Sequence, residues 1–156
     1  MSHKYEKNGA AIYKKSFSII RSESELSQFN SDEEQVAVRM IHAAGMVDLA
    51  KYIYFSSGFV HSARVALSNG APIFCDAKMV SEGITRRRLP ADNDVICTLT
   101  APNIYELAAS MNNTRSAAAL EHWRDRLTGA VVAIGNAPTA LFHLLNMLQD
   151  QDCPKP

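Results

Sequence analysis

The chain has 156 residues, 47% of them apolar, and its 16 Lys+Arg balance 16 Asp+Glu to a formal net charge of zero. This is the size and makeup of one folded domain spanning 1–156. A neutral chain lacks the basic field of a nucleic-acid binder, no apolar run nears the ~20 residues of a membrane span, and Cys75, Cys97 and Cys153 lie too far apart for a disulfide framework or a zinc site. The polar start MSHKYEKNGA carries no signal core, so the cytoplasm is the expected compartment.

In chain order, residues 9–29 open with helical spacing, with Ile12, Phe17 and Ile20 on one side. Ser31 followed by Glu34 reads as a capping box, and Ala37, Met40, Ile41 and Ala44 form the buried stripe of the helix it starts. Gly45 is the expected stop. YIYF (52–55) reads as a first strand, Gly58 to Asn69 as a helix, and PIFC (72–75), DVICTL (94–99) and VVAI (131–134) as three more strands. These runs are short and apolar without alternation, as in strands buried on both faces of a parallel sheet. TRSAAALEHWRDRL reads as a helix with Ser116, Leu120, Trp123 and Leu127 on one face. Pro138 opens the last helix, whose predicted stripe is Leu141, Leu144, Leu145 and Leu148.

The alternation of helices and strands predicts an α/β fold with an open, mostly parallel sheet and helices on both faces. Ligands of such sheets bind beyond the carboxyl ends of the strands. Four segments carry polar groups where that crevice would lie: 41–45, 75–89, 112–119 and 133–142. His42 falls in the last turn of its helix, where the partial negative charge of the terminus favours an imidazolium and suits a proton donor. The plainer alternative is a histidine bonded to the last carbonyls. Arg115 follows the expected cap Thr114 at the positive end of a helix, a poor place for a cation unless it meets an anion there. GNAPT (135–139) offers backbone N–H groups to a carboxylate or phosphate, or is an ordinary turn with Asn136 as cap. It is neither a Walker A loop nor GxGxxG. Asp76 either points into the crevice or caps the next helix. RRR (86–88) is a solvated edge unless Arg86 or a neighbour neutralises an acidic ligand. His3, His61, His122 and His143 have no partners at metal-ligand spacing, and no metal site is expected.

Seven segments in order carry a resemblance: GAAIYKKSFSIIR, VRMIHAAGMVDL, FSSGF, GAPIFCDAKMVSEGITRRRLP, VICTL, TRSAAA and AVVAIGNAPTALFHLL. Together the chain resembles the precorrin-8X methylmutase family of cobalamin (vitamin B12) biosynthesis. The resemblance implies a flavodoxin-like fold, a homodimer, and an isomerase that shifts a methyl group from carbon 11 to carbon 12 of a tetrapyrrole. The product is hydrogenobyrinate, or cobyrinate where the substrate carries cobalt, and no cofactor is used. It further implies His42 as the catalytic proton donor. The implied substrate contacts are Tyr13 to Ser16, Asp76 through Thr85 and Arg86, Thr114, Arg115 and Ser116, and Gly135, Asn136, Ala137 and Thr139. Arg115 would reach the site of the partner subunit. Met79, Val80 and Phe142 could line an apolar slot for the ring. Family members continue with a further strand, a glycine-rich turn and more helix. The expectation is therefore an incomplete sheet without its last strand, the edge of VVAI left unpaired. The rival readings are a non-catalytic corrinoid binder or inactive fragment of the enzyme, and a flavodoxin-like domain holding flavin or nucleotide phosphate at GNAPT.

Overall fold

In the computed structural model, which describes residues 3–156, the chain divides into two units, one ending at Ser62 and the other running from Ala63 to Pro156. The first is helical. α1 (Gly9–Glu23) starts where the Asn8 side chain accepts the N–H groups of Ala10 and Ala11. It stops at Glu23, six residues short of the predicted span, because Ser24 to Asn30 turn back toward α2 (Ser31–Ala44). The capping box of α2 is real but sits one residue earlier than predicted. Asn30 accepts from Asp32 and Glu33, and Glu33 accepts from the Asn30 N–H. Glu34 is instead paired with Arg21 across the two helices at 2.7 Å.

The buried face of α2 is Ala37, Val38 and Ile41, packed with Ile20, Ala50 and Ile53. Met40 and Ala44, both predicted inside, are exposed. Burying Val38 in place of Met40 and Ala44 keeps Ala37 and Ile41 inside and rotates the stripe by roughly a sixth of a turn, which a spacing of 3 or 4 alone does not fix. Gly45 ends α2 in the left-handed region (φ 66°) that glycine enters without strain.

The predicted strand YIYF is absent. Tyr52 closes a 3-10 helix (Val47–Tyr52), and the following residues form no ladder. Ile53 is buried and Phe55 packs edge-on against Phe29 at 5.6 Å, while Tyr52 and Tyr54 stand 80% and 89% exposed. Aromatic and β-branched content marks this stretch as strand-like, but its unit holds no strand to pair with among the described residues. α3 (Phe59–Ser68) then leads into the second unit.

That unit is α/β. Its sheet is parallel, with β1 (Ile73–Cys75) between β2 (Val95–Ile96) and β3 (Val131–Ala133). Every β1 residue is buried, as a central parallel strand requires. β3 lies at an edge, as predicted for VVAI. Between strands run α4 (Lys78–Gly83), a 3-10 turn (Arg86–Arg88), α5 (Ile104–Ser110), α6 (Arg115–Ala119) and a second 3-10 stretch (Leu120–Arg126); α7 (Pro138–Gln149) follows β3. Phe74 of β1 stacks on Trp123 at 5.3 Å, with Leu120, Leu127, Ala140, Leu144 and Met147 in the same core.

The single helix predicted over TRSAAALEHWRDRL is two pieces. At the junction the Thr98 hydroxyl donates to the carbonyl of Ala119 (2.7 Å) and accepts from the Trp123 indole N–H (2.8 Å). A 3-10 stretch at an α-helix end is a frequent way for the winding to change. α7 buries Ala140, Leu144 and Met147, and leaves Leu141 and Leu145 exposed. Both of its faces are apolar, so periodicity cannot tell which one turns inward. Beyond α7, Cys153 enters the core, and the Lys155 ammonium donates to the carbonyls of Leu148 and Asp150 at the helix end. All three cysteines are free thiols.

Glu121 ties the second 3-10 stretch to α7. It accepts from Arg124 at 3.1 Å and lies 2.6 Å from His143 Nε2. Burial raises its carboxyl, but hydrogen bonds and charge from Arg124 and His143 outweigh burial and hold it below its usual 4.5. A depressed carboxylate stabilises the fold above its unfolded value and loses that contribution as pH falls through the folded value. Glu121→Gln should therefore cost about 1–2 kcal/mol near neutrality. In paired melting curves the gap to the parent should narrow steadily below about pH 4.5. A gap independent of pH would remove the charge from this account.

Candidate active site

In the first unit, α1 and α2 build a box around His42. Tyr13, Ser16 and Phe17 recur at helical spacing, so they share one face of α1. The Tyr13 and Phe17 rings lie 5.1 and 5.4 Å from the imidazole, the second edge-on at 85°. The Ser16 hydroxyl is hydrogen-bonded to His42 Nδ1 at 2.8 Å. Gly45 ends α2 three residues later, which leaves the half-buried His42 in the last turn beside the negative end of the helix. Three residues singled out from sequence, Tyr13, Ser16 and His42, are thus brought together. Phe17, read only as a packing residue, belongs with them. An open groove of about 480 Å³ runs along α1 past Ser16, lined by Ile12, Lys15 and Ile19 among others.

The second unit joins two more of the predicted segments. β1 and β3 are parallel neighbours, so their carboxyl ends stand side by side. Asp76, directly after β1, reaches the backbone directly after β3. The N–H groups of Gly135, Asn136 and Ala137 donate to its carboxylate at 3.1, 3.0 and 2.7 Å. Three successive N–H groups at the head of a helix form a nest that favours an anion. Here the anion is the protein's own carboxylate, 1% exposed. Asp76 thus neither opens into a crevice nor caps α4, whose first turn has no side-chain cap. Asn136 is not the cap of α7 either. That position is Ala137, and Asp76 supplies the acceptor from 61 residues away. α4 also packs on this loop: a Cβ at Gly135 would stand 3.0 Å from Val80 Cγ2, so glycine permits the approach. Beside Asp76, burial pushes the Cys75 thiol up to about 11, which makes it unreactive.

Thr114 is the N-cap of α6, as predicted, and accepts from the Ala117 N–H. Its hydroxyl also bonds that of Thr139 at 2.8 Å, which joins the TRSAAA and GNAPT segments. Arg115 is exposed and lies over the Tyr105 ring at 4.8 Å while its Nη1 donates to the Tyr105 hydroxyl at 2.8 Å. Tyr105 escaped the sequence reading because a residue ten positions upstream on another helix leaves no periodic signal. Ser116 is half-buried, Thr85 is exposed, and Arg86 lies 3.9 Å from Glu82. Met79 and Phe142 are exposed apolar side chains at 69% and 65%.

A sequence model of the precorrin-8X methylmutase family matches residues 11–156. The chain belongs to this family. It is 59% identical to a precorrin-8X methylmutase of Sinorhizobium over 97% of its own length and 72% of that relative's. With a precorrin-8X methylmutase of Pseudomonas aeruginosa the identity is 56% over 97% and 73%. A crystal structure described as precorrin-8X methylmutase from Thermus thermophilus superposes with a TM-score of 0.81 at 34% identity, covering 94% of this chain and 71% of that one. Methylmutases are intramolecular transferases, so the chain is an isomerase-family enzyme of cobalamin biosynthesis. No helix among the described residues is long and apolar enough to cross a membrane.

Proposed function

We propose that the chain converts precorrin-8X to hydrogenobyrinate by moving a methyl group from carbon 11 to carbon 12, with His42 as proton donor. The observation that carries this reading is the built setting of His42: a helix C-terminus, a hydroxyl on Nδ1 and two flanking rings, inside the MIHAAG segment of a family match. The shift is formally a sigmatropic rearrangement. A proton delivered to the conjugated ring makes the acceptor end of the migrating bond electron-poor and lowers the barrier. Isomerisation consumes no proton and moves no electrons to a partner, so the lent proton returns and no cofactor is needed. The relatives at 59% and 56% identity are named for precorrin-8X, whereas those named for cobalt-precorrin-8 are 25–31% identical, which supports precorrin-8X here; cobalt, where present, would enter as part of the substrate.

The substrate's carboxylates need cations and hydroxyls. Arg115, Arg86, Thr114 and Thr139 offer them, and Met79 and Phe142 offer apolar surface to the ring. In a cytoplasmic homodimer Arg115 would serve the site of a second copy. The Asp76 clamp supports this division of labour, because the GNAPT N–H groups already serve a carboxylate. The same clamp weighs against a flavin or nucleotide phosphate in that loop. Incubating the chain with precorrin-8X and following the visible spectrum tests the proposal. Conversion supports it, whereas a bound but unchanged ring would favour the non-catalytic corrinoid binder.

Arg115→Ala should weaken hydrogenobyrinate binding about 10- to 150-fold, since a charge-assisted contact is worth about 1.5–3 kcal/mol. Titration on the visible band measures it. An unchanged Kd would leave Arg115 as a solvated side chain resting on Tyr105.

A further inference from the structure

The box around His42 does more than bury a ring. An imidazole has two nitrogens, and a proton donor works reproducibly only if one of them is committed elsewhere. His42 Nδ1 is committed to the Ser16 hydroxyl at 2.8 Å. We propose that Ser16 is a positioning residue that pins Nδ1, so that Nε2 is the nitrogen that gives and recovers the proton; this rests on the proton-donor reading of His42. It differs from the substrate contact that the resemblance implies for Ser16.

The protonation states are consistent with that role. As an imidazolium, His42 carries a proton on each nitrogen, and Nδ1–H donates to Ser16 Oγ. Transfer from Nε2 to the substrate ring leaves a neutral imidazole that still donates from Nδ1 to the same oxygen. Return of the proton to Nε2 restores the start. Serine can accept throughout, because its own hydroxyl hydrogen rotates to another acceptor. Tyr13 and Phe17 complete the hold. Their rings, 5.1 and 5.4 Å away on the same face of α1, restrict rotation of the imidazole about its bond to Cβ. All three side chains come from one helical turn of α1, so the box is a property of the spacing Y-x-x-S-F (13–17).

The test compares Ser16→Ala, Ser16→Thr and His42→Ala in the full chain, reading kcat and KM for precorrin-8X and the imidazole ¹⁵N shifts of His42. Alanine is the better helix former, so α1 should persist in Ser16→Ala. That variant should lose about 10- to 100-fold in kcat with KM little changed, as expected when a donor is misaimed rather than removed. Ser16→Thr, which keeps the hydroxyl, should recover most of the loss. The ¹⁵N shifts should show the parent's neutral ring protonated on Nδ1 and the Ser16→Ala ring mixed. Adding Ser16→Ala to His42→Ala should cost nothing further, because both act through one group. A rise in KM at unchanged kcat, or an unmixed ring in Ser16→Ala, would overturn the positioning role. Full turnover by His42→Ala would instead overturn the proton-donor reading, and the ¹⁵N shifts would still decide whether Ser16 fixes the ring.

Discussion

Replacing His42 by alanine should slow isomerisation by about 10²- to 10⁴-fold, or roughly 3–5 kcal/mol of barrier, the usual worth of a positioned general acid. The fold should survive, because His42 is half-buried at the end of α2, and the core of its unit is formed by Ile20, Val38, Ile41 and their neighbours. Affinity for hydrogenobyrinate should hold within about threefold, since a proton donor acts on the transition state more than on bound product. Turnover and product titration, run on the same preparation, separate the two effects. Turnover within about threefold of the parent would mean that the proton comes from elsewhere.

Asp76→Ala should strongly destabilise the second unit. It removes the acceptor of three N–H groups and leaves those of the buried Ala137 and its neighbours to be solvated or orphaned. Buried donors left unmatched cost about 1–3 kcal/mol each, and two of the three belong to exposed residues that water can reach, so about 3 kcal/mol is expected in total. For a unit of this size that is a fall in Tm of about 10–20 °C by calorimetry. Asp76→Asn keeps one acceptor oxygen and should fall between the two. If Asp76→Ala melts with the parent, the carboxylate is a bystander to the loop.

The order of elements was readable from sequence wherever local rules decide it. Three of the four predicted strands, the stop at Gly45, the cap at Thr114 and the proline opening of α7 each depend on residues a few positions apart. What escaped depends on distance or on rotation. YIYF has strand composition, but a strand exists only if a neighbour pairs with it, and composition does not carry that information. The predicted stripes hold at Ala37, Ile41, Leu144 and Leu148 and fail at Met40, Ala44, Leu141 and Leu145, because spacing alone leaves the rotation of α2 open and α7 is apolar on both faces. In the site, His42 could be singled out by its place in a helical turn, whereas its box needed two helices in register. Asp76 was ambiguous for the same reason: its partners lie about 60 residues away, on a strand end that only the parallel pairing of β1 and β3 brings alongside.

Trp123 has a practical consequence. It is the chain's only tryptophan, wholly buried, with its indole N–H held by Thr98. Its fluorescence therefore reports the packing of the Ala63–Pro156 unit. The imidazole proton resonances of His42, flanked by the Tyr13 and Phe17 rings, report the other unit. Indole emission and the His42 resonances thus give each unit its own signal without labelling. Superimposable denaturation curves from the two would mean that the halves melt as one cooperative body; separated curves would give each half its own stability.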